Sequence, residues 1–299
     1  MKKPAALAAA VKRVARAAGA DLVGIASVER YAGAPPEVHP ASIFAGTRSV
    51  IALGCRMLRG TLKSIEEGRY WQAYNCDSYQ YLNEVLAPHM LRRIVVFLEE
   101  MGYTSVPVHN PFGSHLGRPV RPGGPSPDGE ISLRVAGCAA GLGELGLSKL
   151  LLTPQYGPRQ RVFVVLTDAE LRQDPLLAER VCDGCGACAA ACPAGAIRLE
   201  RRIEFGIGGR VFAHAEFDSD ACLDVHQGWD ARFSPFLDEG ATRDKPPAYY
   251  QFLDRRFRHR SICGGRGCLR ACLDHLEKKG ALSSKYRLPM IEGEQWTLD

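Results

Sequence analysis

The chain has 299 residues, of which 46% are hydrophobic and 24% charged, a composition typical of globular proteins rather than of disordered or fibrous ones. This length is sufficient for about two domains, and the longest apolar runs fall short of the roughly 20 residues that span a bilayer. The Lys- and Ala-rich N-terminus has the spacing of an amphipathic helix rather than of a secretory signal, so we expect a cytoplasmic protein.

The first 175 residues have the pattern of a mixed α/β domain. Apolar residues at helical spacing predict helices over 4–18 and 78–101, the second ended by Gly102. Apolar runs predict buried strands over 22–28, 49–54, 149–153 and 161–167. Between them, residues 110–130 contain five Pro and five Gly and therefore form a long loop, a feature that is often functional.

The composition changes near residue 175, after which Cys, Gly and Ala become frequent. We expect a hairpin around 206–209 and helices over about 246–260 and 268–279. The predicted fold class is therefore α+β. A mixed α/β domain over 1–175 is followed by a smaller domain over 176–280 and a tail over 281–299.

The strongest motif is a run of four cysteines, Cys182, Cys185, Cys188 and Cys192, followed by Pro193. Its spacing, C-x2-C-x2-C-x3-C-P, is that of bacterial ferredoxins. Two intervening residues let successive thiolates turn toward one iron–sulfur cube, and the wider last gap directs the fourth thiolate to a second cube. A structural zinc site would instead use two C-x2-C-type pairs, so we interpret the run as an iron–sulfur motif.

Four further cysteines can complete two [4Fe–4S] clusters. In the crossed arrangement of two-cluster ferredoxins, cluster one takes Cys182, Cys185, Cys188 and Cys272. Cluster two takes Cys192, Cys222, Cys263 and Cys268. The remaining cysteines, Cys55, Cys76 and Cys138, have no partner pattern and are interpreted as small buried hydrophobic residues.

Charge gives little support for a nucleic-acid partner. The formal net charge of +5 falls to about +1 if each of two clusters with its thiolates carries about −2. The basic run over 255–260 is compatible with a nucleic-acid interface, but a solvated helix face beside two anionic clusters is favoured.

Two other motifs are weaker. Gly141, Gly143 and Gly146 match G-x-G-x-x-G, but Pro154 leaves no room for the long helix that a dinucleotide site requires. Asp224 and His226 resemble part of a D-x-H-x-x-G cobalamin-ligand element that is one residue short here. We interpret this second match as chance.

Taken in order, these segments resemble a known family. The stretches over 132–146 and 152–161, followed by Thr167-Asp168 and the two cluster motifs, are similar to cobalamin-dependent reductive dehalogenases and the related epoxyqueuosine reductases. The similarity covers most of residues 1–275. It is closer to the dehalogenases in the segments AGLGELG and TPQYGPRQR.

The resemblance implies a nitroreductase-like domain that holds a base-off corrinoid. Clusters would deliver electrons to form Co(I), which reductively cleaves a carbon–halogen or carbon–oxygen bond in a small organic substrate. By position it implies Arg161 as a cationic group near cobalt and Tyr103 as proton donor. The corrinoid contacts that it implies are His115, Glu130, Gly141, Gly143 and Gly146.

The chain also departs from the family. A twin-Arg leader is absent, and the Asp-Ser/Thr-Ala-Pro element of epoxyqueuosine reductases is replaced by the sequence over 128–134. From the resemblance and the cluster motif together, we expect an oxidoreductase that receives electrons from a ferredoxin or flavodoxin. The alternatives are an electron carrier of the same fold without corrinoid, a flavin in the same pocket, or a tRNA epoxyqueuosine reductase.

The cysteine pattern makes a direct prediction about iron. Protein isolated without oxygen is expected to contain about eight irons per chain, because eight thiolates can hold two four-iron cubes. Iron and acid-labile sulfide analysis measures this. About four irons, or zinc in place of iron, would contradict the two-cluster interpretation.

Overall fold

The computed structural model describes residues 3–35, 38–109, 131–230, 232–236, 263 and 267–292. The helices are α1 (Pro4–Ala17), α2 (Arg59–Glu66), α3 (Trp71–Tyr74), α4 (Ala87–Glu99), α5 (Leu133–Ala139), α6 (Ala187–Ala190), α7 (Ser219–Gln227) and α8 (Cys268–Lys278), with a π-helix over Asn75–Leu86. The strands are β1 (Leu22–Ser27), β2 (Ser49–Arg56), β3 (Ser105–Val108), β4 (Glu144–Leu145), β5 (Leu151–Leu152), β6 (Gln160–Thr167), β7 (Ile197–Ile207) and β8 (Arg210–Phe217).

The central sheet has the strand order β1-β2-β6-β3, and each neighbouring pair is antiparallel. Ile51 of β2 pairs with Ile25 on one side and Val165 on the other. Side chains alternate across a strand, so Ile51 faces one hydrophobic core while its neighbour Val50 faces a second. Both faces of the sheet are covered, which explains why its central strands are continuous apolar runs in the sequence.

Different helices cover the two faces. Leu7 and Val11 of α1 pack with Ile94 and Leu98 of α4 in the first core. Helix α5 covers the other face, and its Gly137 lies so close to β5 that an added Cβ would stand 2.6 Å from Leu151 Cδ2. Across the described part of the chain, no helix is both long and apolar enough to span a membrane.

The long helix predicted over 78–101 is two elements in the structure. A π-helix of 12 residues, Asn75–Leu86, leads directly into α4, which begins at Ala87. Apolar spacing did not distinguish the two, because Leu82 and Met90 are buried on either side of the junction. π-Helices are rare and frequently accompany functional sites.

The cysteine-rich part consists of a short helix, a hairpin and two helices that carry cysteines. The predicted hairpin is β7–β8, which turns at Gly208 and Gly209, both with positive φ. Helix α8 contributes Leu269, Leu273 and Leu276 to the same core as α1 and α4. The described residues on both sides of position 175 therefore share a hydrophobic core. The predicted loop over 110–130 and helix over 246–260 lie outside the described residues.

Buried ion pairs attach α8 and the following segment to the first part of the chain. Arg270 of α8 pairs with Glu66 of α2, and both side chains are almost completely buried. Arg59 makes a bidentate contact with Glu277, with both N–O distances 2.8 Å. These charged contacts fix the orientation of α8 as well as its position, because bidentate pairing is directional.

Removing one partner of the buried pair is expected to destabilise the protein strongly. Arg270→Met leaves the Glu66 carboxylate buried and unpaired, which costs about 3–5 kcal/mol. Arg48→Met is the control, because the Arg48–Glu170 pair is more than half exposed and is expected to cost less than about 1 kcal/mol. Anaerobic urea unfolding compares the two variants, and equal losses would contradict this assignment.

Candidate functional site

Four cysteines line one pocket. They are Cys182, Cys185, Cys188 and Cys272, which sequence analysis had assigned to cluster one. Cys188 lies on α6 and Cys272 on α8, so the packing of these two helices closes the group. Cys185 is exposed whereas Cys188 is buried, so one edge of this group faces solvent.

The loop that carries these cysteines is fixed by glycines and by one buried carboxylate. Gly184 and Gly186 have φ values of +79° and +76°, a conformation that L side chains rarely adopt. Glu144 of β4 accepts hydrogen bonds from the backbone N–H groups of Val181 and Cys182, the latter at 2.7 Å. Glu144 lies inside the glycine motif over 141–146, so that segment positions the first cysteine of the run.

The other four predicted ligands form a second group. Cys222 lies on α7, Cys268 begins α8, and Cys192 and Cys263 lie in loops. Burial, followed by repulsion from Cys192 and Cys222, raises the pKa of Cys268 to about 12. The backbone N–H of Ala196 donates to Cys192 Sγ at 3.4 Å. The two groups adjoin, because Cys188, Cys192 and Cys268 belong to one hydrophobic cluster.

Other cysteines of the two groups have their pKa raised in the same way as Cys268. Burial raises the pKa of Cys188, Cys222 and Cys263 as well, and neighbouring cysteines raise each of them further. A thiolate in such a group is stabilised by a cation that all members contact. The donor set of both groups therefore suits iron, and binding would release the thiol protons.

A cationic and aromatic pair lies beside the second group. The Arg161 guanidinium stands 4.1 Å from the centroid of the Tyr79 ring, and Tyr79 projects from the π-helix. Burial acts to lower the pKa of Arg161, but attraction to Tyr79 and Tyr74 raises it overall. Nε and Nη2 of Arg161 are buried without a hydrogen-bond partner. Buried donors without a partner in the protein can be satisfied by an ordered water or by a bound group.

Arg134 of α5 adds a second positive charge next to Arg161. Desolvation by the surrounding protein, followed by repulsion from Arg161, lowers the pKa of Arg134, while Cys268 and Cys222 attract it. The Arg134 side chain is nevertheless accessible to solvent. Arg134, Arg161 and Tyr79 together mark a positively charged region beside the second cysteine group, called the recess below.

His226 links Tyr79 to the second cysteine group. Its Nε2 lies 2.5 Å from the Tyr79 hydroxyl, and its Nδ1 lies 3.4 Å from Cys263 Sγ. From the sequence alone, the motif around His226 is interpreted as a chance match. The structure places this residue between a predicted iron ligand and the tyrosine that contacts Arg161.

The structure does not bring Tyr103 together with Arg161. Tyr103 packs against the first core next to Thr104, which bonds Asp168 just beyond the carboxyl end of β6. Arg161 lies at the other end of that strand, so roughly 20 Å of extended chain separate the two. The proton-donor role of Tyr103 stays a prediction from resemblance, whereas Tyr79 is in contact with Arg161.

The glycines that were predicted to contact a corrinoid approach the chain itself. An added Cβ would stand 2.1 Å from Pro175 O at Gly141 and 2.1 Å from Leu152 O at Gly143. Gly146 lines the pocket of the first cysteine group. His115 and Glu130 lie outside the described residues.

The cysteines without a partner pattern occupy other places. Burial raises the pKa of Cys55 to about 12 and also raises that of Cys138, so both thiols remain protonated. Cys55 Sγ contacts Met90 Sδ at 3.9 Å inside the first core. Cys76, on the π-helix, is half-buried. Cys55 and Cys138 are the buried residues that sequence analysis predicted.

The grouped thiols and their loop define an iron–sulfur protein. A family model described as a 4Fe–4S binding domain matches residues 179–198. Two curated relatives are tetrachloroethene reductive dehalogenases, from Desulfitobacterium hafniense (38% identity) and Dehalobacter restrictus (36%), each over 112 residues. Each match covers 36% of this chain, and the chain spans 17% of the length of these relatives.

Solved structures show the same fold at low sequence identity. The catabolic reductive dehalogenase NpRdhA is 18% identical with a TM-score of 0.59, covering 99% of this chain and 40% of its own. An epoxyqueuosine reductase is 16% identical with a TM-score of 0.54, covering 89% of this chain and 65% of its own. The predicted resemblance to the reductive dehalogenase and epoxyqueuosine reductase family is thus confirmed.

The role of Glu144 can be tested by removing its carboxylate. Glu144→Ala leaves two backbone N–H groups without an acceptor, which is expected to cost about 1–3 kcal/mol and to speed loss of the first cluster to a chelator. Glu144→Gln keeps a carbonyl oxygen and is expected to restore part of the stability and part of the resistance to the chelator.

Exposed Glu200 provides the control, Glu200→Ala. Urea unfolding and the decay of visible absorbance under anaerobic conditions measure the effects. A Glu144→Ala variant indistinguishable from the control would contradict the role.

Proposed function

We propose that this chain is an iron–sulfur reductase. In it, two [4Fe–4S] clusters pass electrons to cobalamin for reductive cleavage of a carbon–halogen or carbon–oxygen bond in a small organic molecule. The observation that carries the proposal is the adjacency of three features: the first thiol pocket, the second thiol group, and the recess with Arg134, Arg161 and Tyr79. Relatives that reduce tetrachloroethene support the same chemistry.

The geometry supports a direction for electron flow. The first group is open to solvent at Cys185, and the second group adjoins Arg134 and His226. We therefore infer that electrons from a donor such as a ferredoxin or flavodoxin would enter at a cluster held by the first group and would leave from a cluster held by the second group, toward the recess. The sharing of α8 by Cys268 and Cys272 keeps the two clusters close enough for this transfer.

The residues around the recess suit an acceptor-rich group such as a corrinoid. Two guanidinium nitrogens of Arg161, Nε and Nη2, are buried and unpaired, and leaving such donors unsatisfied costs about 1–3 kcal/mol or more. A corrinoid carries carboxamide side chains whose oxygens can accept these bonds. When bound, it would supply a strong one-electron or two-electron reductant to the substrate.

The chain itself would supply charge and a proton. Arg161 would stabilise negative charge that develops on the substrate during bond cleavage, because contact with Tyr79 and its place at the start of β6 hold it in position. The Tyr79 hydroxyl hydrogen-bonds with Arg161 and is therefore a proton source beside it. We therefore assign to Tyr79 the proton transfer that the resemblance had implied for Tyr103.

A second candidate is epoxyqueuosine reduction in tRNA. It is favoured by the shared fold with epoxyqueuosine reductases, including one from Bacillus subtilis with a TM-score of 0.51. Turnover of epoxyqueuosine-containing RNA by the cofactor-loaded protein would support this candidate. Absence of turnover with intact cofactors would exclude it.

Cofactor content discriminates between an enzyme and an electron carrier of the same fold. Protein purified without oxygen in the presence of cobalamin is expected to hold about one cobalt besides about eight irons. Metal analysis and the absorption spectrum measure both. Iron without cobalt would favour the carrier, and extractable yellow FMN would favour a flavin enzyme.

Tyr79 can be tested by removing its hydroxyl. Tyr79→Phe keeps the ring over which Arg161 stacks but removes the proton, so turnover is expected to fall about 100-fold or more. Tetrachloroethene and a brominated hydroxybenzoate serve as probe substrates, and halide release is the measurement.

Tyr81 provides the matched control for this variant. It lies on the same π-helix and is 51% exposed, so Tyr81→Phe is expected to retain wild-type turnover. Tyr103→Phe is measured alongside. If Tyr103→Phe loses turnover while Tyr79→Phe retains it, Tyr103 and not Tyr79 is the proton donor.

A further inference from the structure

His226 occupies the position between the second cysteine group and the tyrosine of the recess. It lies on α7, four residues after Cys222, which belongs to the same group. Its two ring nitrogens contact different partners, Cys263 Sγ at 3.4 Å and the Tyr79 hydroxyl at 2.5 Å. The ring is half-buried, so both contacts are partly shielded from water.

The chemistry of the partners determines which atoms donate. This step rests on the proposed function, in which Cys263 ligates iron and is therefore a thiolate without a proton. The hydrogen between Cys263 and His226 must then belong to Nδ1. A neutral imidazole carries only one N–H, so Nε2 is an acceptor and the Tyr79 hydroxyl donates to it.

We propose that His226 is a positioning residue that donates its Nδ1–H to the Cys263 thiolate and holds the Tyr79 hydroxyl at Nε2. The bond to sulfur raises the reduction potential of the second cluster. The bond to Tyr79 fixes the tautomer that makes the first bond available. One side chain thereby connects the electron-donating cluster to the proposed proton donor.

The direction of the effect follows from charge. Reduction adds one negative charge to the cluster and its ligands, so a hydrogen-bond donor at a ligand sulfur stabilises the reduced form more than the oxidised form. Donation to a charged acceptor is stronger than a neutral bond. Cys192 in the same group receives a backbone N–H from Ala196, but Cys263 is bonded by a side chain that substitution can remove.

The test is an EPR-monitored redox titration of the holoprotein. His226→Phe keeps an aromatic ring and removes both bonds. It is expected to disfavour reduction of the second cluster about tenfold, which for one electron corresponds to about 59 mV. His226→Gln retains a donor and an acceptor and is expected to shift less. Tyr79→Phe leaves Nδ1–H in place without the partner that fixes the tautomer, and it is expected to give a smaller shift in the same direction.

Two controls accompany these variants. The first cluster is an internal reference, because His226 has no contact with its four cysteines among the described hydrogen bonds. His39→Phe removes a histidine that caps Ala41 and packs edge-on against Tyr31, so both clusters are expected to keep their wild-type potentials.

The outcomes separate this inference from the proposed function. Wild-type protein without a second cluster, by iron content and EPR, would overturn both. A second cluster with the same potential in wild type, His226→Phe and Tyr79→Phe would overturn the inference alone. If His226→Phe cannot retain the second cluster, the potentials of Tyr79→Phe and His226→Gln test the inference instead. Wild-type potentials of the second cluster in both variants would then overturn the inference.

Discussion

The buried ion pair between Arg270 and Glu66 holds the helix on which both cysteine groups depend. Cys268 and Cys272 are one helical turn apart on α8, and each belongs to a different group. Arg270 lies between them in the chain and points to α2 instead. A rotation of α8 would therefore break the ion pair and move a cysteine out of both groups together. This constraint joins the cysteine-rich part to the sheet domain.

Electrostatics explains why the two groups and the recess occur together. Each buried thiol makes ionisation of its neighbours less favourable, so the groups are stable as thiolates only around a shared cation. Arg134 is attracted to Cys268 and Cys222 and repelled by Arg161. The pair of guanidinium groups thus lies beside the second cysteine group.

The cysteine motif and several secondary-structure elements were predictable from the spacing of residues in the sequence. The ferredoxin-type run, the helix over α1, the strand β6 and the β7–β8 hairpin follow from short-range patterns of cysteines, apolar residues and glycines. The π-helix was not predictable, because its apolar residues continue those of α4 without a break in the pattern. The interpretation of Gly141 and Gly143 also needed the structure, since only the fold shows the backbone that approaches them.

The sequence by itself determined the cluster chemistry, the α+β class and the family resemblance, because cysteine spacing and periodicity are local properties of the chain. Only the tertiary structure decided that Tyr79 rather than Tyr103 contacts Arg161, that Glu144 supports Cys182, and that His226 lies against Cys263. The last two contacts join residues 38 and 37 positions apart, and Tyr79 also bonds His226, 147 positions along the chain. No local pattern encodes such distances, since they arise from the packing of the π-helix, α7 and β6 around one recess.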